Sequence, residues 1–362
     1  MTKSPLASPK FARSPTALIV AAIGMVSTSA WSQSSSCPQV FNFSTQSYIA
    51  DSSCSSSDKD VAFSKANPIT SAIIQSQITT LSEVSRSRSG GNTSSTRTSL
   101  TGQTGLAGAA GDSRWSAWAA LSSNNVGYNF APLSSSGNAL NALIGIDYLY
   151  ANGVLAGFAL GSDSSKTNTS FNNGNISTSG YTFSPYFMAP LSANWTLDGS
   201  LGFGSGKIST NVGGGVNGNT TDQRTFGALA LTYSTSLSNW QVQSTGSILT
   251  SSSKINQLTL SNAAVVAGTT NGATQLRAGA RAYYGSGQFV PFVGLTYSQD
   301  LGRTDVQAVG GQTPANARNA FIALVGVGIN QGKQVSGSVQ LTSEIRNQVR
   351  NNGVLGSVSL KF

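Results

Sequence analysis

The sequence predicts an all-β fold: a 12-stranded antiparallel transmembrane β-barrel, preceded by a short helix and a disordered N-terminal segment. Three observations carry this expectation. Only 9% of the 362 residues are Asp, Glu, Lys or Arg, while 40 are glycine and the polarity comes from Ser, Thr, Asn and Gln. An ordinary soluble domain carries about 25% charged residues. From residue 114 onward apolar and polar side chains alternate with period two, the signature of half-buried strands. The alternation runs to the final residue. In "GVLGSVSLKF", Val354, Gly356, Val358, Leu360 and Phe362 share one parity, and Ser357, Ser359 and Lys361 the other. Free termini of soluble domains usually fray instead.

Residues 1–30 read as a signal peptide. A basic stretch, "MTKSPLASPKFARSP", precedes an apolar one, "TALIVAAIGMV", and the small residues end at Ala30. The apolar part is shorter than the ~20 residues a spanning helix needs. The formal charge of +9 includes Lys3, Lys10 and Arg13 of this leader, which holds no acid, so 9 − 3 leaves +6. The remaining cations are scattered without runs, which argues against a nucleic-acid partner. Residues 31–66 form a Ser-rich, passenger-like segment too small and polar for its own core. Its Cys37 and Cys54 are expected to pair as a disulfide in an oxidising compartment. Lipidation of Cys37 fits poorly, because "SSS" precedes it beyond the apolar stretch.

Residues 67–104 are expected to form a helix and a flexible linker. Asn67 suits an N-cap and Pro68 the first helical position. Ile69, Ile73, Ile74, Ile78 and Leu81 give an apolar stripe, and Arg86 and Arg88 fall in the last turn, where cations suit the dipole. The Ser/Gly/Thr-rich run that follows is a tether.

Residues 105–362 are the barrel. Twelve alternating segments lie near 114–122, 139–150, 153–163, 178–190, 194–207, 223–236, 239–252, 273–285, 287–299, 317–330, 333–347 and 353–362. Short turns such as "ANG" (151–153) and "LSN" (237–239) alternate with long Ser/Asn/Gly-rich connections. That rhythm and the even strand number are what outer-membrane barrels show, with short turns in the periplasm. The helix ahead of the first strand must then run through the lumen from outside, or stay in the periplasm. Asp147, Asp198, Arg277, Arg281, Glu344 and Arg346 all fall on the polar parity and are expected to face the lumen. An Arg or Lys facing lipid at the midplane would cost roughly 2–4 kcal/mol. Arg277 and Arg281 either meet the helix, line a pore, or are balanced by Glu344 or Asp198. Aromatic residues near strand ends (Trp115, Tyr148, Trp195, Tyr233, Trp240, Tyr284 and Tyr297) read as interface girdles.

The run from "GAAGDSRWSAWAA" through "NALIGIDYLYANGVLAGFALGSDSS" to "SGYTFSPYFMAPLSANWTLDGSLGFG" resembles the translocator barrel of monomeric autotransporters, and the similarity continues to Phe362. The resemblance implies 12 strands, a lumen helix carrying Ile73, Ile74, Ile78 and Leu81, and a secreted passenger upstream. It implies that the tail, with Val358, Leu360 and Phe362, is the signal read by the outer-membrane assembly machinery after periplasmic chaperones deliver the chain. Three features depart from the family. The pre-barrel segment of about 80 residues has no solenoid repeat, the paired-asparagine cleavage site is not evident, and no lipase-like serine motif occurs upstream.

The chain has no histidine, which removes Ser-His-Asp and Cys-His catalysis and every His-containing metal site. No catalytic, cofactor-binding or metal-binding residues are expected, and the chain is read as no enzyme. The expected function is an outer-membrane translocator of a Gram-negative bacterium. It inserts as a monomer among outer-membrane lipids and exports or displays its own N-terminal segment at the cell surface. The alternative is a porin-like channel, or a surface adhesin or structural outer-membrane protein.

Overall fold

A computed structural model describes residues 39–42, 47–50, 68–88, 114–130, 133–170, 172–285, 288–305, 317–331 and 335–362. Within the Ser-rich segment, β1 (Gln39–Asn42) and β2 (Ser47–Ala50) pair antiparallel as a separate hairpin. Their Val40, Phe41, Tyr48 and Ile49 favour strands, a local element the sequence-based expectation lacked. One helix follows, α1 (Pro68–Arg88).

The barrel strands come next. They are β3 (Trp115–Tyr128), β4 (Ser135–Leu149), β5 (Leu155–Thr169), β6 (Gly174–Pro190), β7 (Trp195–Asn211), β8 (Asn217–Leu237) and β9 (Trp240–Ile255). A small hairpin, β10 (Leu258–Leu260) and β11 (Val265–Val266), leans on the end of β8. The wall then continues with β12 (Thr269–Tyr284), β13 (Phe289–Arg303), β14 (Asn319–Gln331), β15 (Val335–Arg346) and β16 (Val349–Lys361). Each wall strand pairs antiparallel with the next, β9 bridging β8 and β12, and β16 pairs with β3 to close the cylinder. Closure matters because a bilayer offers no water to an unpaired edge.

Alternation decides which side each residue faces. Along β3, Ser116, Trp118, Ala120 and Ser122 are buried, while Trp115 and Leu121 are exposed. On β16, Val354, Val358, Leu360 and Phe362 are exposed and Ser359 and Lys361 are buried. The eight steps from Val354 to Phe362 span about 21 Å along the barrel axis, at about 3.4 Å per residue and a tilt of about 40°. That approaches the height of the apolar band of an outer-membrane barrel, about 25 Å.

The two rims differ. At the rim holding the first residue of β3 and the chain end, aromatic rings pair across strands. Trp115 lies 5.0 Å from Tyr148, Trp195 5.0 Å from Tyr233, and Trp240 4.9 Å from Tyr284, centroid to centroid. We call this the terminal rim and the opposite one the far rim. Tyr297 lies toward the far rim, 5.4 Å from Phe321.

All twelve strands occur where the alternation places them, and all but β14 and β15 run further toward the far rim than the sequence indicates. β3 continues to Tyr128, β5 to Thr169, and β8 starts at Asn217. The connections expected to be long therefore shrink: β5 and β6 are joined by 170–173, β7 and β8 by 212–216, and β15 and β16 by 347–348. The β5 extension is built of Ser, Thr, Asn and Lys, polar on both faces, so there the ladder continues without any apolar parity to reveal it. In the 212–216 turn, Gly213, Gly214 and Gly215 take φ of +90°, +59° and +80°, a left-handed run that glycine alone adopts readily.

The inner wall is shaped by aromatic rings lying on glycines of the neighbouring strand. A Cβ added to Gly202 would meet the Phe226 ring at 2.0 Å, and one on Gly145 would meet Trp118 at 2.5 Å. Gly202→Val should therefore cost about 1–3 kcal/mol through overpacking, read as earlier urea unfolding of the vesicle-inserted barrel. Gly246→Ala, whose added Cβ meets nothing within 4 Å, should leave the transition unmoved.

Candidate functional site

The candidate site is the lumen and the helix it holds. α1 has 21 residues, about 31 Å at 1.5 Å per residue. Ile73 packs with Val126 and Ala139 near the far rim. Val84 and Glu83 share a small cavity with Trp118, Ser336 and Ser359 near the terminal rim. The helix thus runs through the lumen, its N-terminal end toward the far rim.

Its two faces meet two kinds of wall. Ile74, Ile78, Leu81 and Val84 recur at helical spacing and pack on Trp118, Leu143, Leu155, Tyr186 and Met188. The opposite face is polar and meets the β12 arginines. Arg281 pairs with Glu83 at 2.5 Å, and an Nη of Arg277 donates to Gln75 Oε1 at 3.1 Å. Ser82 donates to Asp198 Oδ2 at 2.7 Å, and the Ser76 and Ser122 hydroxyls are 2.7 Å apart. Beside this polar face a partly open cleft of about 80 Å³ remains, lined by Ile78, Thr79, Ser82, Leu249, Arg277 and Arg281 among others. The helix thus leaves only a narrow cleft on its polar side.

The wall's own polar groups are cross-linked. Trp118 Nε1 donates to Tyr186 Oη at 2.6 Å, and Tyr186 donates to Asp147 Oδ2 at 2.9 Å. Arg224 holds Asp163 at 2.8 Å and Asp222 at 2.6 Å, all three buried. Asp300 accepts from Gln275 at 2.7 Å and from Arg303 at 2.7 Å, and it also pairs with Arg346. Glu344 lies 3.3 Å from Arg346. Buried charge persists in a fold when it is partnered in this way. Among the described residues, no group of three or more Asp, Glu, His or Cys could hold a metal ion.

The family comparison now has its geometry. The model of the autotransporter beta-domain matches residues 122–342, more than half of the chain. The chain belongs to the autotransporter β-domain family. Among solved structures, the translocator domain of the autotransporter NalP from Neisseria meningitidis superposes with a TM-score of 0.66 at 15% identity, covering 83% of this chain and all of that one. The β-domain of the Bordetella autotransporter BrkA gives 0.57 at 16% identity, covering 69% of this chain and all of that one. At these identities the likeness speaks for the fold. No curated protein matches at the sequence level. This autotransporter barrel is an outer-membrane translocator domain, a transport unit in which strands and lumen carry the function.

Asp147, Asp198 and Arg346 are buried on the lumen side, and Arg277, Arg281 and Glu344 lie on the same inward parity. Of the pairings considered for the β12 arginines, Arg281 takes the helix's Glu83, while Glu344 lies against Arg346. Ile73, Ile74, Ile78 and Leu81 are all at most 3% exposed. Val358, Leu360 and Phe362 are exposed on the outer face. Cys37 and Cys54 lie outside the described residues. The sequence reading missed Glu83 and Gln75 on the helix, Trp118 and Tyr186 in the lumen, and the Asp163–Arg224–Asp222 triad. Asp163 and Arg224 fall within the expected strands 153–163 and 223–236, and Asp222 shares the parity of Arg224 but lies one residue outside the second.

Glu83→Gln should weaken docking of α1 by about 1–3 kcal/mol, read as a higher conductance of the barrel in planar bilayers. The charge-swapped pair, Glu83→Arg with Arg281→Glu, should bring the conductance back toward the parent value.

Proposed function

We propose that this autotransporter barrel exports the segment ahead of α1 and displays it at the cell surface, with α1 left in the lumen as a plug. The observation that carries the reading is the course of α1, whose N-terminal end points to the far rim. Such barrels keep short turns in the periplasm and their longer connections outside, and the two longest connections, β9 to β12 and β13 to β14, lie at the far rim, so the far rim is the outer one and whatever precedes α1 emerges there. On this reading residues 1–30 are a removable signal peptide, 31–66 a short passenger with its cysteine pair, and 67–104 the plug and its linker. The segment's own activity, enzymatic or adhesive, would be separate from the barrel's.

We extend the reading to assembly. The strand β16 presents Val358, Leu360 and Phe362 outward, where periplasmic chaperones and the barrel-assembly machinery would read them before the last seam closes. A channel reading has the cleft beside α1 in its favour. Deleting 67–88 separates the two. A large rise in bilayer conductance fits a plugged translocator, and an unchanged small one fits a barrel whose helix does not control the lumen.

Protease shaving of intact cells should remove an epitope placed within residues 31–66; protection of that epitope with recovery in the periplasm would overturn the display reading. Deleting Phe362 should lower the folded, heat-modifiable barrel in outer membranes several-fold, whereas deleting a single residue within 31–36 should leave it unchanged.

A further inference from the structure

The barrel's charges are sorted by face. Every described side-chain carboxylate of the barrel is either buried in the lumen or joined to the Arg303–Arg318–Arg346 network inside the far rim: Asp147, Asp163, Asp198, Asp222 and Asp300 are buried, and Asp305 and Glu344 pair with those arginines. The outer wall toward the far rim carries cations alone. Lys166 on β5, Lys207 on β7, Lys254 on β9 and Arg350 on β16 are exposed, and none makes an ion pair or a side-chain hydrogen bond among the described residues.

Lys166, Lys207 and Lys254 stand above the apolar belt, and Arg350 stands at its edge, opposite the exposed Ile345 of β15. On each strand the cation follows the last large apolar outward residue by four to six positions: Leu160 then Lys166, Phe203 then Lys207, Ile248 then Lys254, and Val354 then Arg350. That is about 13–20 Å along a tilted strand, and the long aliphatic stems let the charged heads reach back toward the membrane surface. Between belt and cations the wall offers hydroxyls and amides. Asn352, Asn125, Asn138, Lys166, Ser177 and Ser209 stand opposite one another from strand to strand. At the terminal rim the outward girdle is aromatic instead, with Arg114 donating to Tyr148 Oη at 3.3 Å.

We infer that the outer wall toward the far rim is a docking surface for phosphate-bearing lipid headgroups, so that the barrel selects an anionic leaflet on that side. The inference rests on the reading of this chain as a membrane-embedded barrel with its far rim outward. Four unpaired cations without a competing acid have complementary charge to such headgroups, and they continue upward from the lipid-facing belt. They are also spread over β5, β7, β9 and β16 rather than gathered in one patch, which suits a surrounding lipid surface better than a single soluble partner.

The test uses the full chain refolded in neutral lipid, mixed with diphosphorylated lipid A or with phosphatidylcholine, and bound lipid read by native mass spectrometry. The parent protein should retain lipid A over phosphatidylcholine. Each cation removed should weaken retention about fivefold, so Lys166→Gln with Lys207→Gln and Lys254→Gln should lose roughly a hundredfold. Arg318→Gln, which removes a cation inside the rim, should change little. Equal retention of both lipids by the folded parent protein, or full retention by the triple variant, would overturn the inference. Displacement of lipid A by inorganic phosphate alone would overturn it too, assigning the cations to a free anion. A parent chain that never becomes heat-modifiable in vesicles would instead sink the membrane-barrel reading beneath it. Should the triple variant misfold, the single variants carry the same comparison at about fivefold each.

Discussion

The seam between the last strand and the first is the interaction on which the molecule depends. From Val349 opposite Tyr128 to Lys361 opposite Ser116, β16 and β3 exchange backbone hydrogen bonds along their full length. Without that seam two strand edges would face hydrocarbon, where each unsatisfied peptide group costs several kcal/mol. The seam also fixes register. A slip of one residue would turn Val354, Val358 and Leu360 inward and send Lys361 into lipid. Which side every other residue of the wall faces follows from that registration, strand by strand around the cylinder.

A closed wall of twelve strands creates a lumen too wide for its own side chains, and the chain fills it asymmetrically. One half-wall is apolar and aromatic, with Trp118, Tyr186 and Met188 receiving the apolar stripe of α1. Glycines such as Gly145 and Gly157 make room for those rings, since a Cβ at either would press on Trp118 or Tyr186. The other half-wall is polar and charged, and Arg281 and Arg277 reach across to the polar face of the helix. The amphipathic helix and the two-sided lumen are one arrangement seen from opposite sides.

How much of this is legible in the sequence depends on contrast. Where one face is lipid, the parity of Leu140, Ala142, Ile144 and Ile146 against Asn141 and Asp147 states the strand and its lumen side. Beyond the bilayer the contrast disappears. Ser164 to Thr169 has no apolar face at all, so only hydrogen-bond pairing with Gly174 to Ser179 identifies it as strand. The same loss hides the Asp163–Arg224–Asp222 cluster, which sits at that margin. Pair identity is illegible for another reason. The parity that puts Arg281 inside says nothing about which helix residue will stand opposite, because the rotation and depth of α1 are set by packing against Trp118 and Leu143, residues far apart in the chain.

The manner in which α1 is held has a thermodynamic consequence. Strand pairs hold the wall, and side chains alone dock the helix. Plug and wall are therefore separate cooperative units answering to different surroundings. Bilayer thickness and chain order act on the wall. The Arg281–Glu83 pair is in contact and largely buried, where salt screens little, so the helix answers to the side chains around it rather than to the bilayer. Losing the helix's side-chain contacts would therefore leave every strand pairing of the wall in place.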